Sequence, residues 1–507
     1  METKNIILLA NQPNEAIIMA KLANKIWQID KTVKITITFT DYYTFYFQKQ
    51  FLNGFQSAFN GTVLTQEEIY KEWQNDEKYQ DVDLDFLKEW SKSLCNNRSL
   101  GQLARTNQWV YGNENDRYLL KTNDVWKTKI LFDTIVWCEK LVSRECPSLL
   151  VSLGNATLPT NILYEIASKQ AIPFLTISHT RLENYWILRQ DFAYGMAKLK
   201  IEEILKKYSS PSFLNLAESF IEKKVRKEEN FYASESKFIS ESFIEKRNIR
   251  FKSLLSELRT FAAGTYWRIF IHSRERPYKV KRVEQNLIKV TLDQIRYLLY
   301  FYTRLAGLKF SGQTNVPTEN FFLWGLHARP ESSVLVLGDG VDEIDSLIET
   351  ADRLPMGYFL AVKEHPIMIG RRDRGFYKKL KNHKKIIMVD PFVSSIELIK
   401  KSVGVIGISG TILLEAAFFD KPSCALGKAE FADFLIECGW NNASTFFDKV
   451  ISNRHISPKD KVMPYVAYIL SEAKPGNLFL NLGIETAETQ DAIAGFARDI
   501  LGHLNLK

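Results

Sequence analysis

The chain has 507 residues, of which 45% are hydrophobic, 25% charged and 13% aromatic. That much apolar material excludes a disordered chain as the main state, and 24 Gly and 15 Pro exclude collagen-like and low-complexity architectures. The formal charge of +8 is modest for the length but unevenly spread.

At the N terminus, Asn5–Ala10 is a short continuous apolar run, the pattern of a parallel strand buried on both faces. Asn14–Gln28 carries apolar residues at helical spacing, and Val33–Phe39 is rich in β-branched residues. Further on, Ser148–Leu153 and Ile172–Ser178 read as strands separated by a helix over Thr160–Gln170. This βαβ series predicts an α/β domain with a parallel sheet over residues 1–196.

Residues 197–315 read as almost wholly helical. Lys198 to Lys309 hold 24 basic and 13 acidic side chains, a net of +11, so the rest of the chain sums to −3. Within this insertion Arg268, Arg274, Arg276, Lys279, Lys281 and Arg282 face one acid, Glu275, with Phe261, Tyr266, Trp267 and Phe270 alongside. Aromatics beside clustered basic residues suit an element resting on an anionic membrane surface, so residues 261–282 are expected to form one. A solvated helix face is the other reading. No RNA-binding motif accompanies the charge, and no nucleic-acid partner is expected.

From residue 316 to 480 the pattern returns to alternation. Ser333–Leu337, Gly357–Lys363, Lys385–Val389, Gly404–Ile408 and Ser423–Leu426 read as strands. Helices are predicted between them at Asp342–Arg353, Arg374–Lys381, Ser394–Lys401 and Thr411–Phe419. The expected architecture is two Rossmann-type doubly wound domains facing across a cleft, with the basic helical insertion between them. A C-terminal helix within 481–507 is expected to pack back on the first domain. Five cysteines without a CxxC pair argue against a disulfide framework or structural zinc. With no secretory h-region or spanning helix legible, the protein is expected to be cytoplasmic, with membrane contact only from outside.

Two motifs carry the chemistry. Gly407-Ile-Ser-Gly-Thr411 lies between a strand and a helix, where a small-residue turn exposes helical N–H groups. With the Ser409 and Thr411 hydroxyls and close approach at Gly410, it reads as a phosphate site; plain N-capping is the alternative. Glu415, one turn on, would reach a sugar hydroxyl or be solvated. Val362-Lys-Glu-His-Pro366 ends the strand Gly357–Lys363. It places His365 at the sheet's ligand edge as a protonated or donor-tautomer imidazole, with Lys363 adding charge and Glu364 and Pro366 beside it.

Leu326-His-Ala-Arg-Pro-Glu331 lies where the first domain passes into the second, so His327, Arg329 and Glu331 would face the cleft unless they form a solvated linker. Gly154-Asn-Ala-Thr157 and Ser178-His-Thr-Arg181 follow first-domain strands, making Asn155 and Arg181 candidates for acceptor contacts. No HExxH, Walker A, nucleophile elbow or GxGxxG occurs, and no metal-ligand spacing is present.

The VKEHP run, the GxSGTxxxEA run and Asp420–Phe431, with LHARPE and the IPFLTISHTR stretch, resemble the bacterial capsule polysaccharide biosynthesis proteins, Kdo transferases among them. The resemblance covers about residues 148–190 and 320–435. It implies a GT-B-like fold and a metal-independent glycosyltransferase without cofactor. The transfer would run from a nucleotide-sugar donor, CMP-Kdo-like or other, to a glycolipid or oligosaccharide acceptor at the inner face of the membrane. It implies that His365 and Pro366 contact the donor phosphate, that Ser409, Gly410 and Thr411 cradle it, and that Glu415 lies by the ribose. The catalytic carboxylate stays open among Glu331, Glu183 and Glu165. A UDP-sugar epimerase or polyol-phosphate transferase on the same fold, or a non-catalytic membrane-binding relative, is the alternative.

Overall fold

The computed structural model describes residues 4–10, 13–39, 62–64, 82–94, 98–106, 124–154, 157–190, 198–227, 315–328, 336–338, 342–365, 368, 372, 374–391, 393–436, 443–452, 457–478 and 486–505. The segment 261–282 and most of the basic insertion lie outside these residues.

The first domain runs β1 (Asn5–Ala10), α1 (Pro13–Ile29), β2 (Lys34–Phe39), β3 (Thr62–Leu64), α2 (Leu84–Lys92), α3 (Leu100–Arg105), α4 (Asp124–Glu145), β4 (Leu149–Leu153), α5 (Leu158–Lys169), β5 (Phe174–His179) and β6 (Tyr185–Arg189). Helices α6 (Lys198–Tyr208) and α7 (Pro211–Lys227) follow. The second domain holds β7 (Phe321–Gly325), α8 (Glu343–Asp352), β8 (Phe359–Lys363), α9 (Arg374–Asn382), β9 (Ile386–Val389), α10 (Ser395–Lys401), β10 (Gly404–Gly407), α11 (Thr411–Phe418), β11 (Ser423–Ala425), α12 (Ala443–Ile451) and α13 (Pro458–Glu472). A short strand β12 (Lys474–Pro475) and helix α14 (Ala487–Asn505) close the chain.

Strand order in the first sheet is β12-β6-β5-β4-β1-β2-β3, and in the second β11-β10-β7-β8-β9. Each contains the parallel series third-second-first-fourth-fifth of a doubly wound Rossmann unit, so the two-domain, GT-B-like reading holds. Among the described residues only β6 and β12 run antiparallel, at one edge of the first sheet.

The continuous apolar strands follow from this layering. In β1, Ile6, Leu8 and Ala10 pack under α1 and α14, while Ile7 and Leu9 pack under α4 and α5. A two-residue period with helices on both sides leaves no solvated face and so no alternation. The second sheet repeats the rule: Phe321 and Leu323 join the α11–α13 side, Phe322 and Trp324 the α8–α9 side.

The second domain's first strand corrects the sequence reading. It is Phe321–Gly325, upstream of the expected Ser333–Leu337. Residues 333–335 lie outside the described set, and 336–338 form a turn. Val336 packs with the first-domain cluster of Ile7, Leu150 and Leu158, and the Leu337 carbonyl accepts from Lys428 N–H at 2.8 Å. Val336 therefore serves the contact between the domains and not a strand of the second sheet.

The chain's return also differs from the expected boundary at 480. Lys474 and Pro475 already pair with Trp186 and Tyr185, and α14 then packs on α1. The domains are tied by a buried ion pair between Arg189 of β6 and Glu430 beyond β11, and Tyr465 of α13 brings its hydroxyl to 2.8 Å from Glu430 and 3.2 Å from the Thr180 carbonyl. Cys424 in β11 is disulfide-bonded, against the expectation drawn from the cysteine spacing, whereas Cys138 and Cys146 are free thiols. Among the described residues no helix is long and apolar enough to cross a membrane.

Candidate functional site

The carboxyl ends of β7, β8 and β10 lie side by side in the second sheet, where doubly wound folds hold ligands. The turn from β10 into α11 presents the first candidate surface. Gly410 is the N-cap residue, at φ −68° and ψ 149°, and no side chain caps the helix. The N-capping alternative for Ser409 and Thr411 is thereby overturned. Helices α3, α5, α8 and α10 are each capped by a Ser, Thr or Asp side chain; α11 offers its N–H groups and dipole uncapped.

His327 stands against this turn. It follows β7 directly, inside the second domain, so it is not a residue of a solvated linker; it is 5% exposed. Its ring Nδ1 lies 3.0 Å from Glu343 Oε1, an oxygen that also accepts the His327 backbone N–H at 2.9 Å. A carboxylate only accepts, so Nδ1 carries the hydrogen. Nε2 is buried and has no partner among the described residues. A Cβ added to Gly410 would sit 3.3 Å from that Nε2, so glycine is what lets the helix start approach the ring.

His365 ends β8 from the other side. Burial is the main cause holding its imidazole down at about 4, with Lys363, Arg372 and His327 adding to the effect. At neutral pH the ring is therefore neutral and acts as a donor only through its tautomer, which corrects the protonated alternative. Lys363 is also lowered by burial, to about 8, against the opposing pull of Glu415, Asp390 and Glu364. Glu415 is buried in α11, so the solvated reading of that residue fails.

Glu364 corrects a further expectation. It is fully buried, and its carboxylate accepts from the His365 backbone N–H at 2.6 Å, from Arg372 Nε at 2.7 Å and from the Tyr377 hydroxyl at 2.7 Å. Its oxygens are taken up within the protein, and it is no donor-binding side chain. Arg372, Glu343 and Tyr377 are residues the sequence reading missed. Arg372 sits in an exposed-looking run, Gly370-Arg-Arg-Asp-Arg, and nothing local to it signals burial.

The other predicted residues fall elsewhere. Glu183 is ion-paired with Lys224 of α7, and its carbonyl accepts from the His179 ring Nε2 at 2.6 Å. Neither partner belongs to the second-sheet group, so the structure does not bring Glu183 to His365. Arg181, at φ 64°, donates its backbone N–H to His179 Nδ1 at 3.2 Å within the same first-domain turn. Glu165 is buried in α5. Asn155, Arg329, Glu331 and Pro366 lie outside the described residues. Among the described residues, no group of three metal-ligating side chains is assembled.

Residues 226–434 match the model of a family described as capsule polysaccharide biosynthesis protein, in agreement with the resemblance read from the sequence. No curated protein matches the chain. Among solved structures, a UDP-GlcNAc 2-epimerase from Neisseria meningitidis bound to UDP-GlcNAc is 12% identical, covering 99% of this chain and 100% of its own, at a TM-score of 0.27. The beta Kdo 2,4 transferase of Thermosulfurimonas dismutans KpsC is 13% identical over 69% of this chain and 88% of its own, at 0.38. The beta Kdo 2,7 transferase of the same protein is 10% identical over 68% and 87%, at 0.32. Scores this low carry no weight for fold or function, and the fold rests on strand order.

Proposed function

We propose, from the match to the capsule polysaccharide biosynthesis family, that the protein is a glycosyltransferase of bacterial surface polysaccharide assembly. The donor is a nucleotide-activated sugar, and its phosphate lies at the N terminus of α11. The observation that carries this reading is the uncapped helix start at Gly410, held close against the buried His327 ring. Helical N–H groups and the dipole attract an anion there, and the Ser409 and Thr411 hydroxyls flank it. Lys363 supplies a nearby positive charge, and His365 and Pro366 close the seat from β8.

In the reaction an acceptor hydroxyl attacks the anomeric carbon. The new glycosidic C–O bond forms as the bond to the leaving phosphate breaks, and the electron pair passes to the phosphate oxygen. The α11 N terminus and a donor tautomer of His365 stabilise the charge that develops there, more strongly in the transition state than in the ground state. Glu415 is placed toward the sugar or ribose. Because Glu183 is engaged with Lys224, Glu331 is taken as the base for the acceptor proton, with Asn155, Arg181 and Arg329 on the acceptor side.

The enzyme works at the inner face of the cytoplasmic membrane, with residues 261–282 on anionic lipid and a glycolipid or oligosaccharide as acceptor. Binding to anionic vesicles that high salt reverses supports this location; equal binding to neutral vesicles contradicts it.

The test of the donor site is a thermal-shift titration with CMP, UDP, GDP and CDP. A ligand of the native state raises the melting temperature with the logarithm of its concentration. One nucleotide is expected to do so, and no response to any of the four contradicts the reading. Conversion of UDP-GlcNAc to its epimer without acceptor, followed by NMR, would move the assignment to an epimerase.

A further inference from the structure

Arg372 is completely buried, and its five donors form a rigid planar fork. Nε donates to Glu364 Oε2 at 2.7 Å, one terminal nitrogen to Glu343 Oε2 at 3.1 Å, and the other to the His327 carbonyl at 2.6 Å. The opposite oxygen of each carboxylate then accepts the backbone N–H of one histidine: Glu343 Oε1 takes His327 and Glu364 Oε1 takes His365. The Tyr377 hydroxyl adds a bond to Glu364, and the Phe376 ring lies 4.6 Å from the guanidinium carbon. One cation thus joins two strand ends, each through a carboxylate that also holds a histidine.

We infer that Arg372 is a positioning residue for both histidines of the site, acting on the ring of His327 and on the main chain that carries His365. Through Glu343 it fixes the ring of His327 in the tautomer and direction that aim Nε2 at Gly410. Through Glu364 it fixes the end of β8 that carries His365. Each carboxylate is oriented by the guanidinium, as outer partners orient the histidines of metal sites. A lysine has no such fork and cannot reproduce three bonds in three fixed directions. The consequence for nucleotide affinity rests on the donor reading above, whereas the ring geometry does not.

The experiment is NMR of protein labelled with 15N-histidine, with H327Q and H365Q used to assign the two rings among seven histidines. The wild type is expected to show His327 protonated at Nδ1, with a slowly exchanging ring proton. R372M should lose that proton and shift the His365 ring, and R372K should restore neither fully. Folded R372M with both rings unchanged overturns the inference. If R372M does not fold, E343A and Y377F separate the branches. E343A must abolish the His327 Nδ1 proton, and Y377F must shift His365 while leaving His327 in place. Any other pattern from that pair contradicts the two-branch arrangement. In parallel, R372K should weaken the stabilising nucleotide about tenfold, equivalent to about 1.4 kcal/mol. A wild type that binds none of CMP, UDP, GDP and CDP sinks the donor reading, while the ring spectra still decide the role of Arg372.

Discussion

The Nε2 atom of His327 and the α-carbon of Gly410 face each other across a gap that one methyl group would fill, since a Cβ on Gly410 would stand 3.3 Å from that nitrogen. The first residue leaves the central strand of the second sheet and the second begins α11. Their approach holds the uncapped helix start against the His327 ring, and the proposed phosphate seat rests on that helix start.

Gly410→Ala tests that space. Its φ of −68° suits alanine, and its nearest neighbours are a ring nitrogen and the Ile412 side chain, so stability should change by less than about 1 kcal/mol. Affinity for the stabilising nucleotide should fall about tenfold because the methyl group occupies the anion's position. Thermal melting with and without nucleotide separates the two effects.

Lys363 gives a pH dependence with a definite sign. Its folded value, about 8, lies below the ordinary lysine value of 10.5, so the folded state loses this proton first. The cost of charging Lys363 in the folded state is fully present below about pH 8 and is relieved as pH rises toward 10.5. Lys363→Met should therefore raise the melting temperature at pH 7. The same loss of charge should make nucleotide affinity fall above pH 8 in the wild type, and the variant should show a weaker affinity without that decline.

Acid should act through two histidines. Burial lowers His179 to about 3 and His365 to about 4, both beneath the ordinary 6.5. The unfolded chain takes up these protons first, so their contribution is present above pH 6.5 and is lost as pH falls toward the folded values. The melting temperature should drop between pH 7 and 5, and a His179→Gln, His365→Gln double variant should flatten that drop. An unchanged slope contradicts the assignment.

Glu430 holds the domains together through Arg189, with both side chains largely buried. Glu430→Ala leaves a buried guanidinium without its carboxylate, which should cost about 3–5 kcal/mol in denaturant unfolding. A loss under about 1 kcal/mol would show that the pair is solvated.

The residues differ in how far the sequence alone revealed them. The strands Asn5–Ala10 and Gly404–Gly407 were legible because burial on both faces demands continuous apolar runs, and the Gly407–Thr411 turn because a helix start needs small residues there. The SVLVL alternation reads as the first strand of the second domain, whereas that strand is Phe321–Gly325 and Val336 packs on the first-domain cluster. Arg372, Glu343 and Tyr377 were illegible for a different reason. Only the adjacency of β7 and β8 brings residues 327, 343, 364, 372 and 377 to one point, and that adjacency is set by topology. The same cause misled the reading of Glu364, whose neighbours in sequence are site residues but whose oxygens are held by Arg372, Tyr377 and the His365 backbone.

The central claim is that a donor phosphate is seated at the start of α11 between His327 and His365. Release of free nucleotide from CMP-, UDP- and GDP-linked sugars, with and without a glycolipid acceptor, tests it most directly when His327→Ala and His365→Ala are compared with the wild type. The expected result is release of a single nucleotide by the wild type, a fall of about a hundredfold in His365→Ala and a smaller fall in His327→Ala, with melting curves that stay cooperative. Full turnover by both variants would contradict it.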